Sequence, residues 1–229
     1  MTGVLQSRCT GTTVHLHSPL VSTVDAESGQ GKSPSIGLRR TATILSIVLH
    51  PVLVPVPVFL ALSMPRMVQD AGLGVVEFGV AVFFASGSIA LSLVFMRSRG
   101  IIDSLSIDDR GNRLIPLLVG ALLYFIGYLV TRVIDSTTVV KGLLFCYATN
   151  TLAVAVISTR WKISIHTMGT SGPVAAMISA FGIQVWPLLL LIPAVGVSRL
   201  ILRKHTALQV IAGGSLGLIL TWLQLTLFF

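Results

Sequence analysis

Charged side chains are scarce in this chain, at 10% of its 229 residues. Soluble globular domains carry about 25%. Too few polar groups are therefore present to cover a water-facing surface, which argues against a soluble domain. Apolar residues make up 53% of the chain instead, and its mean hydropathy is +0.89. We expect lipid to be the solvent for most of the chain.

Cysteine is also rare, with only two residues of this type. Cys9 lies in a polar stretch and Cys146 lies inside an apolar run, so we expect no disulfide between them. The cysteines consequently indicate no redox compartment. The chain has no internal repeat and no glycine-rich phosphate loop of the Walker type, which argues against a P-loop nucleotide site.

Acidic residues number only 8, against 16 Lys and Arg, and the formal net charge is +8. The basic residues do not gather in one soluble segment. They lie in short clusters between apolar runs, a pattern that favours membrane topology signals and a phosphate site over nucleic-acid binding. We therefore expect no nucleic-acid partner.

Residues 1–38 are rich in Ser, Thr and Gly and show no apolar periodicity, so we predict a disordered polar tail. No long apolar core lies near Met1, and we do not expect a cleaved signal peptide. Residues 39–229 are predicted to form the transmembrane, phosphatase-like domain.

Apolar runs separated by short polar breaks fill the rest of the chain, most of them near the ~20 residues that cross a bilayer. The polar centre Gly182-Ile183-Gln184, followed by Pro187, predicts a turn that divides the longest run. The sequence therefore predicts an all-α, polytopic transmembrane helical bundle of seven helices, with six as the alternative. The runs cover 41–64, 74–96, 114–134, 138–159, 166–183, 185–202 and 206–228.

The loops between seven helices divide the basic residues unevenly. One side holds the tail and segments 97–113, 160–165 and 198–205, with 13 of the 16 Lys and Arg. The positive-inside rule predicts that this side is cytoplasmic. We expect a multi-pass protein of the plasma membrane.

The first polar cluster runs from Asp108 to Pro116, just before the third apolar run. Arg110 and Arg113 are three residues apart and share a face if this turn is helical. Two guanidinium groups side by side suit a phosphate, because each offers a planar fork of donors. The alternative is a basic patch that anchors the helix in lipid headgroups.

The second cluster runs from Trp161 to Gly172. Lys162, Ser164 and His166 converge on a predicted helix N-terminus, where free backbone N–H groups attract an anion. A histidine at this place can protonate a leaving oxygen. The alternative is an interfacial loop with Trp161 at headgroup depth and a solvated histidine.

The third cluster runs from Ser198 to Gln209 and joins the last two runs. His205 and Gln209 are four residues apart, so they share one face of the last helix. The Gln209 amide can hold one imidazole nitrogen and leave the other free to attack. The alternative is a basic turn at the membrane surface.

All three clusters fall on the same predicted side of the membrane. Together they supply two histidines and several cations. Phosphoryl transfer without a metal needs that set: cations for the phosphate oxygens, a nucleophile, and an acid for the leaving group.

The third cluster resembles a motif of the type 2 phosphatidic acid phosphatase superfamily, which also includes vanadium haloperoxidases. That motif is Ser-Arg, five residues, His, three residues, Asp. Ser198-Arg199, five residues and then His205 match it in register. Gln209 stands where the family has the carboxylate.

The other two motifs of the family are matched more loosely. Ser164-Ile165-His166 is similar to the family's Pro-Ser-Gly-His, without its Pro and Gly. Arg113 before Pro116 is similar to the Arg-Pro of the first motif, but Ser106 stands where that motif has its Lys. The resemblance covers roughly residues 100–215, about half of the chain, and suits a divergent bacterial or archaeal branch.

The resemblance implies a lipid phosphatase that needs no metal or other cofactor. It implies that His205 is the nucleophile, which forms a phosphohistidine, and that His166 protonates the leaving group. Gln209 would orient His205. The expected phosphate-binding residues are Arg110, Arg113, Lys162, Ser164 and Arg199.

Gln209 keeps a second function open. A Gln carbonyl accepts from an imidazole N–H and fixes its tautomer, but it adds no charge; in a serine protease triad the loss of that charge costs about 10⁴ in turnover. The alternative is a catalytically weak or inactive protein that binds or transports a lipid phosphate. A transporter unrelated to phosphate is the third possibility. Phosphatidate, phosphatidylglycerophosphate and polyprenyl diphosphate are all open as substrates.

Three further polar residues lie in apolar runs. His50, which precedes Pro51, is expected either to satisfy carbonyls freed by a kink or to face substrate. We expect Asn150 to join helices. Glu77 is expected to be wetted near the far membrane surface.

Overall fold

The chain is described here from a computed structural model, which covers residues 35–102 and 113–229. These two ranges consist of helices and short turns, with no strand. Five helical segments in them are long and apolar enough to cross a membrane: Ala71–Ser98, Leu114–Val133, Thr138–Ser158, Ile183–Ile201 and Ala207–Phe228. The all-α membrane architecture is therefore confirmed, whereas a count of six or seven crossings is not.

The described ranges contain nine α-helices. A π-helical segment, Phe83–Gly87, joins α3 to α4, and a 3₁₀ segment, Ile183–Leu190, leads into α8. Residues 1–34 of the predicted tail lie outside the described residues, and residues 36–38 already belong to the first helix. The helices are α1 Ile36–Val48, α2 Pro55–Gln69, α3 Ala71–Val82, α4 Ser88–Ser98, α5 Leu114–Val133, α6 Thr138–Ser158, α7 Ile165–Phe181, α8 Leu191–Ile201 and α9 Ala207–Phe228.

The prediction of one kinked helix over 41–64 is wrong. The run is divided into α1 and α2 by a turn over residues 49–54, which we call the break. Pro51 has no N–H to donate and disfavours helical backbone at His50, so α1 ends at Val48. Pro55 then occupies the first turn of α2, where a missing N–H costs nothing.

The predicted turn between the fifth and sixth runs is confirmed. α7 ends at Phe181, and Gly182 has a φ of +82°, a backbone conformation that favours glycine. The next segment begins at Ile183. Reading 172–197 as a single helix is thus excluded.

Four segments that are distant in the sequence meet at one end of the bundle. These are the break, the start of α5, the start of α7 and the turn before α9, because residues from each of them line one cleft. We call this end of the bundle the site end. The predicted far end lies where α2 joins α3 and α5 joins α6.

The prediction that Glu77 of α3 is wetted near the far membrane surface is wrong. The residue is buried, with 1% of its surface exposed. Its carboxylate accepts hydrogen bonds from the backbone N–H and the hydroxyl of Thr137 and lies 3.6 Å from Arg66. Thr137 is the residue that precedes α6. A buried carboxylate at a helix N-terminus is stabilised by the helix dipole and by this ion pair.

Asn150 joins helices, as predicted. Its Nδ2 donates to Thr221 Oγ1 at 2.9 Å, and Gln224 Nε2 donates to its Oδ1 at 3.0 Å. Both partners lie on α9. Hydrogen bonds between side chains hold helices together in lipid, where water offers no competing partner.

The contact between α7 and α9 is the most extensive in the described bundle. Gly213 of α9 permits it: a Cβ at this position would lie 2.5 Å from both the Ser164 carbonyl oxygen and Thr167 Oγ1. Close approach at a small residue is typical of helix pairs in membranes. This contact places the start of α7 beside the first turns of α9.

We predict that Gly213→Ala lowers the free energy of unfolding by about 1–3 kcal/mol, because the added methyl forces α7 and α9 apart. Thermal unfolding of the detergent-purified chain measures this as a lower midpoint. Gly79→Ala is the matched control, since a Cβ there meets nothing within 4 Å. An unchanged midpoint for Gly213→Ala would contradict the close packing of the two helices.

Candidate functional site

The site end holds a cleft of about 690 Å³, its open mouth included. His166 and His205, the predicted acid and nucleophile, both line it, as does Arg113. His50 from the break lines the same cleft. The structure therefore brings residues from the three sequence clusters together at one place.

His205 contacts Gln209, as predicted, but the prediction that the two share one face of the last helix is wrong, because His205 precedes the N-cap of α9. His205 Nδ1 lies 3.1 Å from Gln209 Oε1, and the same oxygen accepts a hydrogen bond from the backbone N–H of Thr206 at 3.2 Å. A backbone N–H only donates, so the Gln209 atom that faces it is the carbonyl oxygen. His205 Nδ1 must then carry the proton, and the lone pair of Nε2 is left for attack.

Gln209 has two further contacts that fix its place. Its side chain and Thr206 form a capping box at the start of α9. Its backbone carbonyl accepts a hydrogen bond from the N–H of Ser164 at 3.2 Å. One residue thus orients the predicted nucleophile and ties α9 to the helix that carries the predicted acid.

The environment of His205 keeps the imidazole neutral. The pKa of His205 is lowered from 6.5 to about 4, chiefly by burial and in addition by the charges of Arg199, Lys162 and Arg113, while the Gln209 hydrogen bond opposes the shift. His205 is 9% exposed. A neutral imidazole is the nucleophilic form, so the ring is competent over the whole neutral range.

Arg113 lies at the start of α5 and is only 2% exposed. Its Nη1 donates to the backbone carbonyl of Ile163 at 3.2 Å, just before α7 begins. A buried guanidinium that lines a cleft is a strong and fixed anion-binding group. Arg113, which the sequence analysis predicted to bind phosphate, thus lies in the cleft.

Arg199, in the last turn of α8, is 4% exposed. Its Nη1 donates to Ser46 Oγ of α1 at 3.0 Å. The sequence showed no sign that a serine in the first apolar run would meet the arginine of the third cluster. α1 therefore helps to hold a cation that acts on His205.

The other predicted phosphate-binding residues divide into three cases. Ser164 is fully buried, and its hydroxyl accepts a hydrogen bond from the N–H of Thr167 as the N-cap of α7. It therefore stabilises the start of the helix that carries His166. Lys162 is partly exposed, and its charge acts on His205. Arg110 lies outside the described residues, as do residues 103–112 as a whole.

Two residues of the cleft escaped the sequence analysis. Tyr124 of α5 and Thr151 of α6 line it midway along apolar runs. Polarity inside an apolar run was their only signal, and it does not distinguish a cleft residue from one that joins helices.

A second cavity of about 510 Å³, its open mouth included, lies beside the cleft between α5, α6 and α7, and we call it the inner cavity. Its wall also includes Tyr147, Val154 and Met168. Five residues line both spaces: Pro51, Leu117, Tyr124, Thr151 and Ile165. The cleft therefore adjoins a second space whose lining is mostly apolar, as is that of the cleft itself.

No family model, curated protein or solved structure matches the chain. Within the described ranges, no three His, Cys, Asp or Glu side chains lie close enough to hold a metal ion. The acidic residues that the structure describes, Asp70, Glu77 and Asp135, do not line the cleft.

Proposed function

We propose that the chain is an integral membrane phosphatase that hydrolyses a lipid phosphate monoester or a lipid diphosphate through a phosphohistidine. One observation carries the proposal. A neutral His205, whose Nε2 lone pair is left free by the bond to Gln209, shares one cleft with His166 and the buried Arg113.

The proposed reaction has two steps, and its groups come from the chain and from water. His205 Nε2 attacks phosphorus, the bond from phosphorus to the leaving oxygen breaks, and protonated His166 gives its proton to that oxygen. A water molecule then attacks the phosphohistidine, neutral His166 takes the proton of that water, and the P–N bond breaks. Inorganic phosphate leaves, and both histidines return to their starting forms.

The cations stabilise the charge that develops in these steps. Arg113 lines the cleft, and Arg199 and Lys162 lie near enough to His205 to lower its pKa. Fixed cations of this kind hold the equatorial oxygens of a transferring phosphoryl group without needing to reorganise.

The inner cavity supports a lipid substrate. It adjoins the cleft and is lined mainly by apolar side chains, which suits a hydrocarbon chain. The phosphate would lie among the histidines, and the chain would extend past Thr151 towards Tyr147 and Gly172.

We predict that Thr151→Phe obstructs the junction of the two spaces. KM for a long-chain lipid phosphate should rise about tenfold, a cost usual for a misfit in a hydrophobic pocket. Release from a short soluble ester such as phenyl phosphate should stay within about twofold. Val156→Phe on the same helix is the control, because Val156 is 65% exposed. Equal effects on both substrates would rule out this path for the chain.

A phosphate-release panel tests the proposed function. The purified chain is given phosphatidate, phosphatidylglycerophosphate and a polyprenyl diphosphate in mixed micelles, with no added metal. We expect release from at least one of them. Binding of these lipids without any release would instead support the second candidate function.

That second candidate is a lipid-phosphate binder or transporter on the same scaffold. Gln209 favours it, because the imidazolium character that His205 acquires when it bonds to phosphorus has no carboxylate beside it among the described residues. The cations and the inner cavity serve binding equally well.

The orientation in the membrane is proposed from loop charge. The three loops of the site end, 97–113, 160–165 and 198–205, carry nine Lys and Arg, against three at the far end. We propose that the site end is cytoplasmic, in the plasma membrane. The tail no longer counts in this comparison, because the break shows that the first run does not cross as one helix.

A further inference from the structure

A third imidazole lines the cleft, and the steps above do not use it. His50 lies in the break, and its ring centroid is 5.0 Å from that of His166, with the two rings at 89° to each other. Aromatic rings at this distance and angle are attracted edge to face. Of the two earlier expectations for His50, the geometry favours the one that places it at the substrate site.

The backbone of the break anchors the His50 ring. The N–H of Val52 donates to His50 Nδ1 at 3.2 Å. Since a backbone N–H only donates, Nδ1 accepts and the neutral ring carries its proton on Nε2. The ring cannot turn about its side-chain bonds without losing this hydrogen bond.

The break itself is packed tightly on α7. A Cβ at Gly169 would lie 2.9 Å from Cβ of Pro51, so only glycine allows this approach. Gly169 lies three residues after His166, on the same face of α7. The position of the break relative to His166 is thus fixed by the contact between Pro51 and Gly169 as well as by the contact between the two imidazole rings.

We propose that His50 is a positioning residue, which holds the ring of His166 at the angle from which its proton reaches the leaving-group oxygen. This inference rests on the proposed function. The contribution of His50 is largest for leaving groups that depart poorly as anions, and the alcohol of a lipid phosphate monoester is one of these. It matters little for a leaving group that departs readily without a proton.

The test compares two soluble esters that differ in their leaving group, hexyl phosphate and 4-nitrophenyl phosphate, with the purified full chain. His50→Ala should lower kcat for hexyl phosphate by about 10- to 100-fold, a part of the 10²–10⁴ that a positioned acid contributes. For 4-nitrophenyl phosphate the loss should stay below about threefold. Leu53→Ala is the control from the same turn, since Leu53 is 49% exposed.

Equal losses on the two esters, or no loss on either, would overturn the role of His50 while leaving the proposed function intact. No release by the wild-type chain from either ester, or from the lipid panel, would overturn both together. A second measurement does not depend on turnover. The imidazole proton resonances of His166 should shift in His50→Ala and stay in place in Leu53→Ala, and resonances unmoved by His50→Ala would refute the ring contact.

Discussion

We expect phosphate release to fall to the uncatalysed background, by at least about 10⁴-fold, when His205 is replaced by asparagine. Asparagine is the informative replacement because its amide can still donate to Gln209 Oε1 from the place of Nδ1–H. It has no counterpart of Nε2, which is the nucleophile in the proposed mechanism. The fold at the start of α9 should therefore survive while the chemistry is lost.

Two measurements accompany this variant. Mass spectrometry of the wild-type chain, quenched during turnover of 4-nitrophenyl phosphate, should find a phosphoryl group on His205, and His205→Asn should carry none. Leu208→Ala, in the first turn of α9 and 66% exposed, is the control that should keep its activity. Release that persists in His205→Asn would remove the nucleophile from the proposal.

The second large effect is expected at Gln209, where Gln209→Glu should raise kcat. Glutamate has the length of glutamine, so one carboxylate oxygen can accept from both Thr206 N–H and His205 Nδ1–H, as Oε1 does now. The added charge stabilises the imidazolium character that His205 acquires as it bonds to phosphorus. Since the lack of that charge costs a serine protease about 10⁴, we expect a gain of about 10- to 1000-fold.

The pH dependence of the same variant gives an independent result. His205 attacks only when it is neutral, so activity is lost as pH falls through its pKa, which is about 4 in the wild-type chain. A carboxylate beside the ring favours the protonated form and raises that pKa. The acid limb of the kcat/KM profile should therefore lie near pH 4 in the wild type and at a higher pH in Gln209→Glu.

Gln184→Glu is the matched control, because Gln184 is exposed in the 3₁₀ segment that leads into α8 and does not line the cleft. It makes the same chemical change and should leave rate and pH profile as they are. If the wild-type chain has no activity and the Gln209→Glu variant is active, the natural protein is a lipid-phosphate binder or transporter. A Gln209→Glu chain whose acid limb does not move would contradict the contact between the two side chains.

Hydropathy predicted the helices well where a run is long and has no proline beyond its first turn. α5, α6 and α9 agree with the predicted runs to within a residue or so at each end. The prediction for the first run was wrong because its apolar residues continue across Pro51, whereas its helical backbone is interrupted there. Hydropathy averages over side chains and is insensitive to a missing N–H, which is what divides α1 from α2.

The candidate site was predictable only where its contacts join residues that are close in the sequence. The contact between His205 and Gln209 spans only four residues, and the capping box of Thr206 and Gln209 at the start of α9 places the Gln209 side chain beside His205. The contact between Arg199 and Ser46 spans 153 residues, and no local pattern encodes it. The burial of Glu77 against Thr137 escaped prediction in the same way, because its partner lies 60 residues further along the chain.

The sequence by itself determined that this chain is a helical membrane protein, where α5, α6 and α9 begin and end, and which short segments hold imidazoles beside cations. Only the tertiary structure decided that the break turns His50 towards His166, that Arg113 is buried at the cleft, that Arg199 is buried against Ser46 of α1, and that the cleft adjoins a second cavity. Helix formation in lipid depends on neighbouring residues, whose backbone groups must bond within the segment. What a polar side chain meets depends instead on how helices far apart in the sequence pack together, and here glycine contacts such as those of Gly213 and Gly169 set that packing.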